Sequence, residues 1–226
     1  MRIVFDIGGS IICPDGSPDI NFVKKLSNFL INMKKKHRII VVTGGGKVAK
    51  SYIKSTRLFK PSETLLDNIG ILGTRMNALV LMAALGKHAH GKIVRNKEEL
   101  EHGISSGKIV IMGGTVPGQT TDAVSVAAAQ LFRADMIIIG TNVKGVYDKD
   151  PNKHKNAKML KKISPKDLHC MVNVKKHTAG PLTVMDSVAA RLLERSKIMA
   201  LVLDGRNILN MKKAVERKKF AGTIIE

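Results

Sequence analysis

Tryptophan is absent from the 226 residues, tyrosine occurs twice, and aromatic residues make up only 4%. That scarcity argues against a surface whose main work is stacking single-stranded bases. Two cysteines, Cys13 and Cys170, cannot form a disulfide framework or a zinc cage by themselves, so a reducing interior and a fold held by its own core are expected. Acids are scarce: 18 Asp and Glu stand against 38 Lys and Arg, a formal charge of +20. Such an imbalance calls for an acidic partner, whether nucleotide, nucleic acid or anionic membrane surface. Long apolar runs are missing as well. Only Ile3, Val4 and Phe5 separate Arg2 from Asp6, too few for a signal peptide, and no run reaches the roughly 18 apolar residues that spanning a bilayer requires. A cytoplasmic chain with no membrane partner is the expectation.

What is present alternates. Short β-branched runs at 3–5, 39–42, 108–112, 136–139, 199–203 and 223–225 are separated by amphipathic stretches at 22–33, 48–53, 64–85, 123–132, 184–193 and 208–215. Apolar strands of this kind need cover on both faces. The pattern predicts an α/β fold, a three-layer αβα sandwich around a central, mostly parallel sheet. No repeat or linker divides it, so residues 1–226 read as one domain. Segments 87–107 and 149–180 are more polar and read as irregular excursions from the sheet. Lysine runs at 34–36, 212–213 and 217–219 read as solvated helix ends, where cations complement the helix dipole. His37, His88, His90, His102, His154, His169 and His177 show no metal-ligand spacing and read as surface residues. Met76 and Met82 read as core.

Three of the predicted strands end in glycine: Gly8-Gly9-Ser10, Gly44-Gly45-Gly46, and Gly113-Gly114 followed by Thr115-Val116-Pro117-Gly118-Gln119-Thr120-Thr121. Glycine lets backbone come close to a ligand and aims amides at phosphate oxygens where the next helix starts. One such loop is commonly only a turn. Three at equivalent strand ends of a basic chain suit two phosphorylated substrates. The spacing from Gly113 to Thr120 imitates a P-loop, but Gln119 replaces the lysine that would sit between phosphates, which excludes that class. Gly44-x-Gly46-x-x-Ala49 imitates a dinucleotide fingerprint, yet Glu63 and Asp67 beyond it fall in a helical pattern instead of at a strand end.

Together with Thr141-Asn142-Val143-x-Gly145-Val146-Tyr147-x-x-Asp150-Pro151, these loops resemble the amino acid kinase superfamily, and within it the archaeal type of UMP kinase. The match runs in order over essentially the whole chain. The resemblance implies transfer of the γ-phosphoryl of ATP to UMP, with Mg2+ carried on the nucleotide phosphates and no metal held by protein groups alone. It implies that Gly9, Ser10, Gly46 and Lys50 hold the ATP phosphates, Lys50 standing where the family usually has arginine, and that Thr141, Asn142, Tyr147 and Asp150 surround the adenosine. Gly45, Asp67, Thr115, Val116, Pro117, Gly118, Gln119, Thr120 and Thr121 would hold UMP, Asp67 taking the ribose hydroxyls. Ser10, Lys47 and Asp122 would serve the transfer itself, Asp122 as an organiser of cations; on structural grounds alone Asp122 is an N-cap or first-turn acid. Residues 1–135 would form mainly the UMP half and 136–226 mainly the ATP half, in a homohexamer built from dimers. Many relatives have a lysine where this chain has Asp6, which leaves positive charge at the reaction centre to magnesium, amides and Lys47. Another small-molecule kinase of the superfamily, for carbamate, an acylamino acid or isopentenyl phosphate, is the alternative. A basic non-catalytic nucleic-acid binder is a third reading, against which the lack of aromatics and of any RNA-binding signature weighs.

Overall fold

The computed structural model describes residues 1–151, 153–173 and 184–226. In chain order the strands are β1 (Arg2–Ile7), β2 (Arg38–Thr43), β3 (Ala89–Val94), β4 (Ile109–Met112), β5 (Met136–Thr141), β6 (Lys162–Ile163), β7 (Ala200–Asp204) and β8 (Thr223–Ile225). The helices are α1 (Gly9–Ile12), α2 (Ile20–Lys34), α3 (Gly46–Thr56), α4 (Glu63–Leu85), α5 (Lys97–Ser105), α6 (Thr121–Phe132), α7 (Pro165–Asn173), α8 (Ser187–Ser196) and α9 (Ile208–Val215). The strands form one sheet in the order β3-β4-β2-β1-β5-β7-β8-β6, parallel throughout except for the antiparallel β7/β8 pair.

Central strands are apolar on both faces because both faces are covered. Ile3, Phe5 and Ile7 of β1 pack with α1, α2, α4 and α9 on one side, while Val4 faces the layer of α5, α6, α7 and α8 on the other. All four side chains are fully buried, each stabilising the fold by about 1.5–3 kcal/mol. The expected three layers are therefore present. The polar segments are less irregular than their composition suggests. Residues 87–107 contain edge strand β3 and helix α5, and 149–173 contain edge strand β6 and helix α7. An edge strand pairs on one side only, so β3 exposes the middle of its run and loses the apolar signature of a central strand. The remainder of the second polar segment, 174–180 with His177, lies outside the described residues. The stretch expected as a helix from 184 instead starts at Ser187, where Asp186 caps it.

α4 is long and apolar enough to cross a bilayer by length and composition. It is a core helix nonetheless: Ala78, Leu81 and Leu85 are buried against the sheet, and Gly73 lets α3 approach so closely that an added Cβ would lie 2.7 Å from the Ala49 Cβ. Met82 packs against this core as expected, but Met76 does not. Met76 points away from the sheet and is 55% exposed, because the helix turns Leu65, Leu72, Met76 and Leu79 onto its outer face. Most histidines are exposed or half-buried; His90 departs from a simple surface residue, with its Nδ1 buried and unpaired and its ring edge-on to His102. Cys13 is buried and Cys170 exposed, both as free thiols.

The C-terminal part is pinned by side chains that replace absent ladder partners. Asn210 of α9 donates from Nδ2 to the Ala221 carbonyl at 2.7 Å and accepts the Ala221 N–H at 2.8 Å. Asn210→Ala strands both backbone groups, and it is expected to cost about 1–3 kcal/mol, lowering the urea midpoint with an unchanged m-value.

Candidate active site

β1 pairs with β2 on one flank and β5 on the other, and from these two neighbours the sheet grows in opposite directions. A parallel sheet opens a crevice at such a switch point, outside the C-terminal strand ends. Here the strand ends are stitched together: the Gly8 amide donates to the Gly140 carbonyl, Gly44 to Ile7 and Gly205 to Thr141, each at 2.9 Å. The loops after β1 and β2 touch backbone to backbone. A Cβ on Gly9 would lie 2.1 Å from the Gly46 nitrogen and 2.4 Å from the Gly44 oxygen, so no other residue fits there. Gly46 has φ +62°, and its Cβ would strike the Gly9 carbonyl at 2.4 Å. Gly9 and Gly46 each open a helix, whose first amides have no partner within the helix.

The third glycine loop is held by α4. Asn77 donates to the Gly44 carbonyl at 2.7 Å and accepts from the Cys13 thiol at 2.9 Å. Thr74 Oγ1 accepts the Gly114 N–H at 2.6 Å, and the Thr74 carbonyl accepts from Thr43 at 3.0 Å. Arg75 donates to the carbonyls of Gly114 and Thr115 at 3.1 and 3.2 Å. Two turns further back, Asp67 Oδ2 accepts the Gly118 N–H at 2.7 Å. Asp67 thus lies against the loop carrying Thr115, Val116, Pro117, Gly118 and Gln119, within which Thr115 donates to Gln119 at 3.3 Å. Gly45 joins this group, since its Cβ would meet Ala49 and Thr74. Sequence reasoning missed Thr74, Arg75 and Asn77; the signal was a polar cluster inside an otherwise apolar helix.

Thr120 is the N-cap of α6, accepting from the Ala123 amide at 3.2 Å, and its hydroxyl donates to Asp186. Asp186 in turn caps α8 through the amides of Val188 and Ala189 at 2.7 and 3.1 Å. Asp122 is therefore a first-turn acid of α6, next to Thr121 and not itself the cap. Its carboxyl is pushed up to about 7, by burial first and then by the Asp186 charge, against a hydrogen bond from the Asp186 backbone. Asp6, 4% exposed, is raised well above the usual carboxylate range by burial first, then by the charges of Asp122 and Asp186. Asp6 and Asp186 complete an acidic corner that sequence reasoning did not assemble.

Across β5, Thr141 donates to Asn142 at 3.4 Å, and Tyr147 forms an isolated bridge with Met159. Asp150 is buried, its carbonyl accepting from Lys153 and His154 at 3.1 and 2.9 Å. Ser10 sits half-buried in α1 beside Gly9. The two candidate lysines stand apart from the carboxylates: Lys50 is exposed, and Lys47, also exposed, pairs with Asp15 at 3.0 Å. Among the described residues no three His, Cys, Asp or Glu side chains are placed to hold a metal by themselves.

Residues 1–204 match the model of the amino acid kinase family. Curated uridylate kinases of Thermococcus gammatolerans and Methanocaldococcus jannaschii are each 42% identical to the chain, over 226 and 229 residues, with all of both proteins covered. Among solved structures, the uridylate kinase of Archaeoglobus fulgidus superposes with a TM-score of 0.88 at 35% identity, covering both chains completely. The UMP kinase of Ureaplasma parvum gives 0.81 at 26% identity, covering all of this chain and 98% of its own.

The acidic corner carries a pH signature. A carboxyl raised from its ordinary value to about 7 holds its proton more tightly when folded. Its contribution to stability is therefore complete below about pH 4 and is lost as pH rises through 7. Asp122→Asn removes that loss. The variant is expected to gain on the order of 2 kcal/mol over the native chain between pH 4 and pH 8, read from urea unfolding at both values.

Proposed function

The chain belongs to the amino acid kinase family, and from that premise we infer that it is a UMP kinase, a nucleoside monophosphate kinase that moves the γ-phosphoryl of ATP to UMP and releases UDP and ADP. The observation that carries the reading is the switch point. Three glycine loops and the Thr141 strand end meet at the C-terminal edge of adjacent strands, on either side of β1. Curated relatives matched end to end are uridylate kinases, so the carbamate, acylamino acid and isopentenyl phosphate readings give way. Phosphoryl transfer needs no covalent nucleophile; donor and acceptor phosphates must be in line and their charge neutralised.

In this reading the β2 and β4 side, within 1–135, takes UMP, and the β5 and β7 side, within 136–226, takes ATP. Gly45 and the loop from Thr115 to Gln119 cradle the acceptor phosphate with amides, Thr120 and Thr121 add hydroxyls, and Asp67 accepts from the ribose diol while its hydrogen bond to Gly118 keeps it aimed. Gly9, Ser10 and Gly46 cup the donor phosphates with the amides that open α1 and α3, Lys50 adds a charge, and Thr141, Asn142, Tyr147 and Asp150 border the adenosine. Lys47 reaches the transferring group by leaving Asp15, an exposed pair worth little. The carboxyls of Asp6 and Asp122 are hard oxygen donors in one buried corner, a set that fits the Mg2+ of a nucleotide complex. That ion, when bound, neutralises phosphate charge. Asp122 for its part retains or releases its proton according to the charge delivered beside it.

A hexamer assembled from dimers is part of the same reading. Its support is the outer face of α4, where Leu65, Leu72, Met76 and Leu79 form an exposed apolar stripe in company with Leu58 and Phe59.

Two measurements test the function and the assembly. With a panel of nucleoside monophosphates, ADP release is expected with UMP far above the rest; Asp67→Ala should raise KM for UMP about tenfold or more with a smaller change in kcat. An equal response to every acceptor, or an unchanged KM, refutes the assignment. Met76→Glu places a charge on the α4 stripe, and sizing by light scattering should show the assembly falling to smaller species while the helix content stays constant.

A further inference from the structure

The crevice occupies one edge of the sheet; the opposite edge, where the parallel strands begin, carries a row of cations that phosphoryl transfer does not use. β4, β2, β1, β5 and β7 are consecutive neighbours and all parallel, so their N-termini emerge together. Each is entered from a cation: Lys108 just before β4, Arg38 and Arg2 as the first residues of β2 and β1, Arg133 shortly before β5 and Lys197 shortly before β7. All five are exposed. Arg2 stands opposite Arg38 in the ladder, and the β2/β4 register, continued back from Ile40 and Val110, brings Lys108 beside Arg38. By strand alternation these three share a face with Val4, Ile40 and Val110, on the side of α5 to α8. Arg133 and Lys197 belong to that side too, as C-caps of α6 and α8. Five strands at a spacing of about 4.8 Å make the row about 19 Å long.

Helix ends explain only part of this row. Arg38 donates to the Ile104 carbonyl at the end of α5, and Arg2 to the Phe132 carbonyl at the end of α6. A guanidinium has five N–H donors, so one such bond fixes the head and leaves the others for a ligand. Arg133 and Lys197 adopt φ +50° and +54°, left-handed backbone in which glycine is the easier residue. What the helix dipole returns there is of the order of what that backbone costs, so capping alone does not call for cations. None of the five is ion-paired among the described residues, and the acids nearby are engaged: Asp135 accepts the Arg2 amide at 2.6 Å, Glu216 holds Lys218 and Glu226 holds Lys162, both at 2.8 Å. His37, next to Arg38, is kept below its ordinary value by burial first, then by the N-terminal ammonium and Lys36. Cations aligned without counter-charges repel one another, and a line of anions relieves that repulsion.

A double helix is such a line. At one charge per about 1.7 Å of axis it presents about eleven phosphates over the length of the row, about half of them on the near side, against five cations. Single strands are gripped by stacking on aromatic rings, which the row lacks; contact with a duplex backbone needs none. Duplex RNA is recognised through its 2′-hydroxyls across the minor groove, and the row itself has no hydroxyl, amide or carboxylate to meet them. A membrane surface calls for exposed apolar side chains beside the charge, and of the large ones exposed only Met1 flanks a strand start. We propose that the row of Lys108, Arg38, Arg2, Arg133 and Lys197 docks double-helical DNA by its phosphate backbone, without sequence preference, as a further function of this chain. It lies at the edge away from the transfer crevice and does not depend on the UMP kinase reading.

Fluorescence anisotropy with a labelled DNA duplex of about 24 base pairs measures this directly. With about five phosphates contacted, log K should fall against log[salt] with a slope of about −4.5, a loss of about 500-fold between about 50 and about 200 mM KCl. The K108Q/K197Q variant should lower that slope by about 2 and weaken binding about tenfold or more at the lower salt. K108E/K197E should weaken it further, with circular dichroism unchanged and UDP formation within about twofold of native. Lys24 and Lys213 are exposed on α2 and α9, the opposite layer, and K24E/K213E makes the same change in net charge. That variant should stay within about threefold of native, since screened charges act over about a Debye length. No saturable binding at the lower salt, a slope near zero, or a K24E/K213E variant as weak as K108E/K197E overturns the proposal. Tighter binding to phosphatidylglycerol vesicles, or to single-stranded or double-stranded RNA of the same length, overturns it as well. Absence of UDP formation by the native chain bears on the transfer crevice alone and leaves this titration untouched.

Discussion

The molecule is organised around one contact, the meeting of the Gly9 backbone with Gly44 and Gly46. At 2.1 Å from an added Cβ to the Gly46 nitrogen there is no room for any side chain, so the two loops form a single surface of peptide groups. Much of the rest serves that approach. β1 and β2 are neighbours in parallel register, which brings Ile7 opposite Thr43 and delivers both loops to one level. Asn77 fixes the Gly44 carbonyl from below, and Thr43 and Thr74 extend the same scaffold to Gly114 in the loop after β4. Fixed amides need no reorganisation when charge arrives, which is what makes them effective against phosphate.

How much of this could be read from residues alone depended on whether a feature was local. The central strands announce themselves because both their faces are apolar, and the glycine loops because they follow such strands. Edge strands β3 and β6 are polar or two residues long, and no pattern distinguishes them from loop. Helix α4 was visible as a helix, but its orientation was not. A helix apolar nearly all round does not say which side meets the sheet, and so Met76 was assigned to the core although it faces outward. Asp67 was found through the family pattern and is placed against Gly118, 51 residues away. Thr74, Arg75 and Asn77 bind loops distant in sequence, and only tertiary structure connects them. Asp186 belongs to the same kind: read alone it is the cap of α8, and its bond to Thr120 requires that α6 and α8 lie side by side.

The charge distribution follows from the topology. In a parallel sheet flanked by helices, helix N-termini gather at the C-terminal strand edge and helix C-termini at the other. Caps and first-turn acids, here Thr120, Asp122 and Asp186, therefore belong to the first edge, and cations such as Lys197 and Lys212 to the second. The net charge of +20 is consequently not spread evenly, and the edge proposed to bind phosphate carries the buried carboxyls.

That arrangement looks contradictory for an enzyme of two anionic substrates, and burial resolves it. Asp6 in water would be an anion repelling phosphate; enclosed beside Asp122 and Asp186, it is held toward its neutral form, first by desolvation and then by those neighbours. A neutral carboxyl repels nothing. Positive charge entering the corner favours ionisation of the pair, and the positive charge on hand in this reaction travels with the nucleotide. A lysine at position 6 would offer its charge permanently. Aspartate instead makes the electrostatics of the proposed transfer edge conditional on its ligand, and the amides of the glycine loops, to which the proposed function gives the phosphates, carry no formal charge to be desolvated in either state.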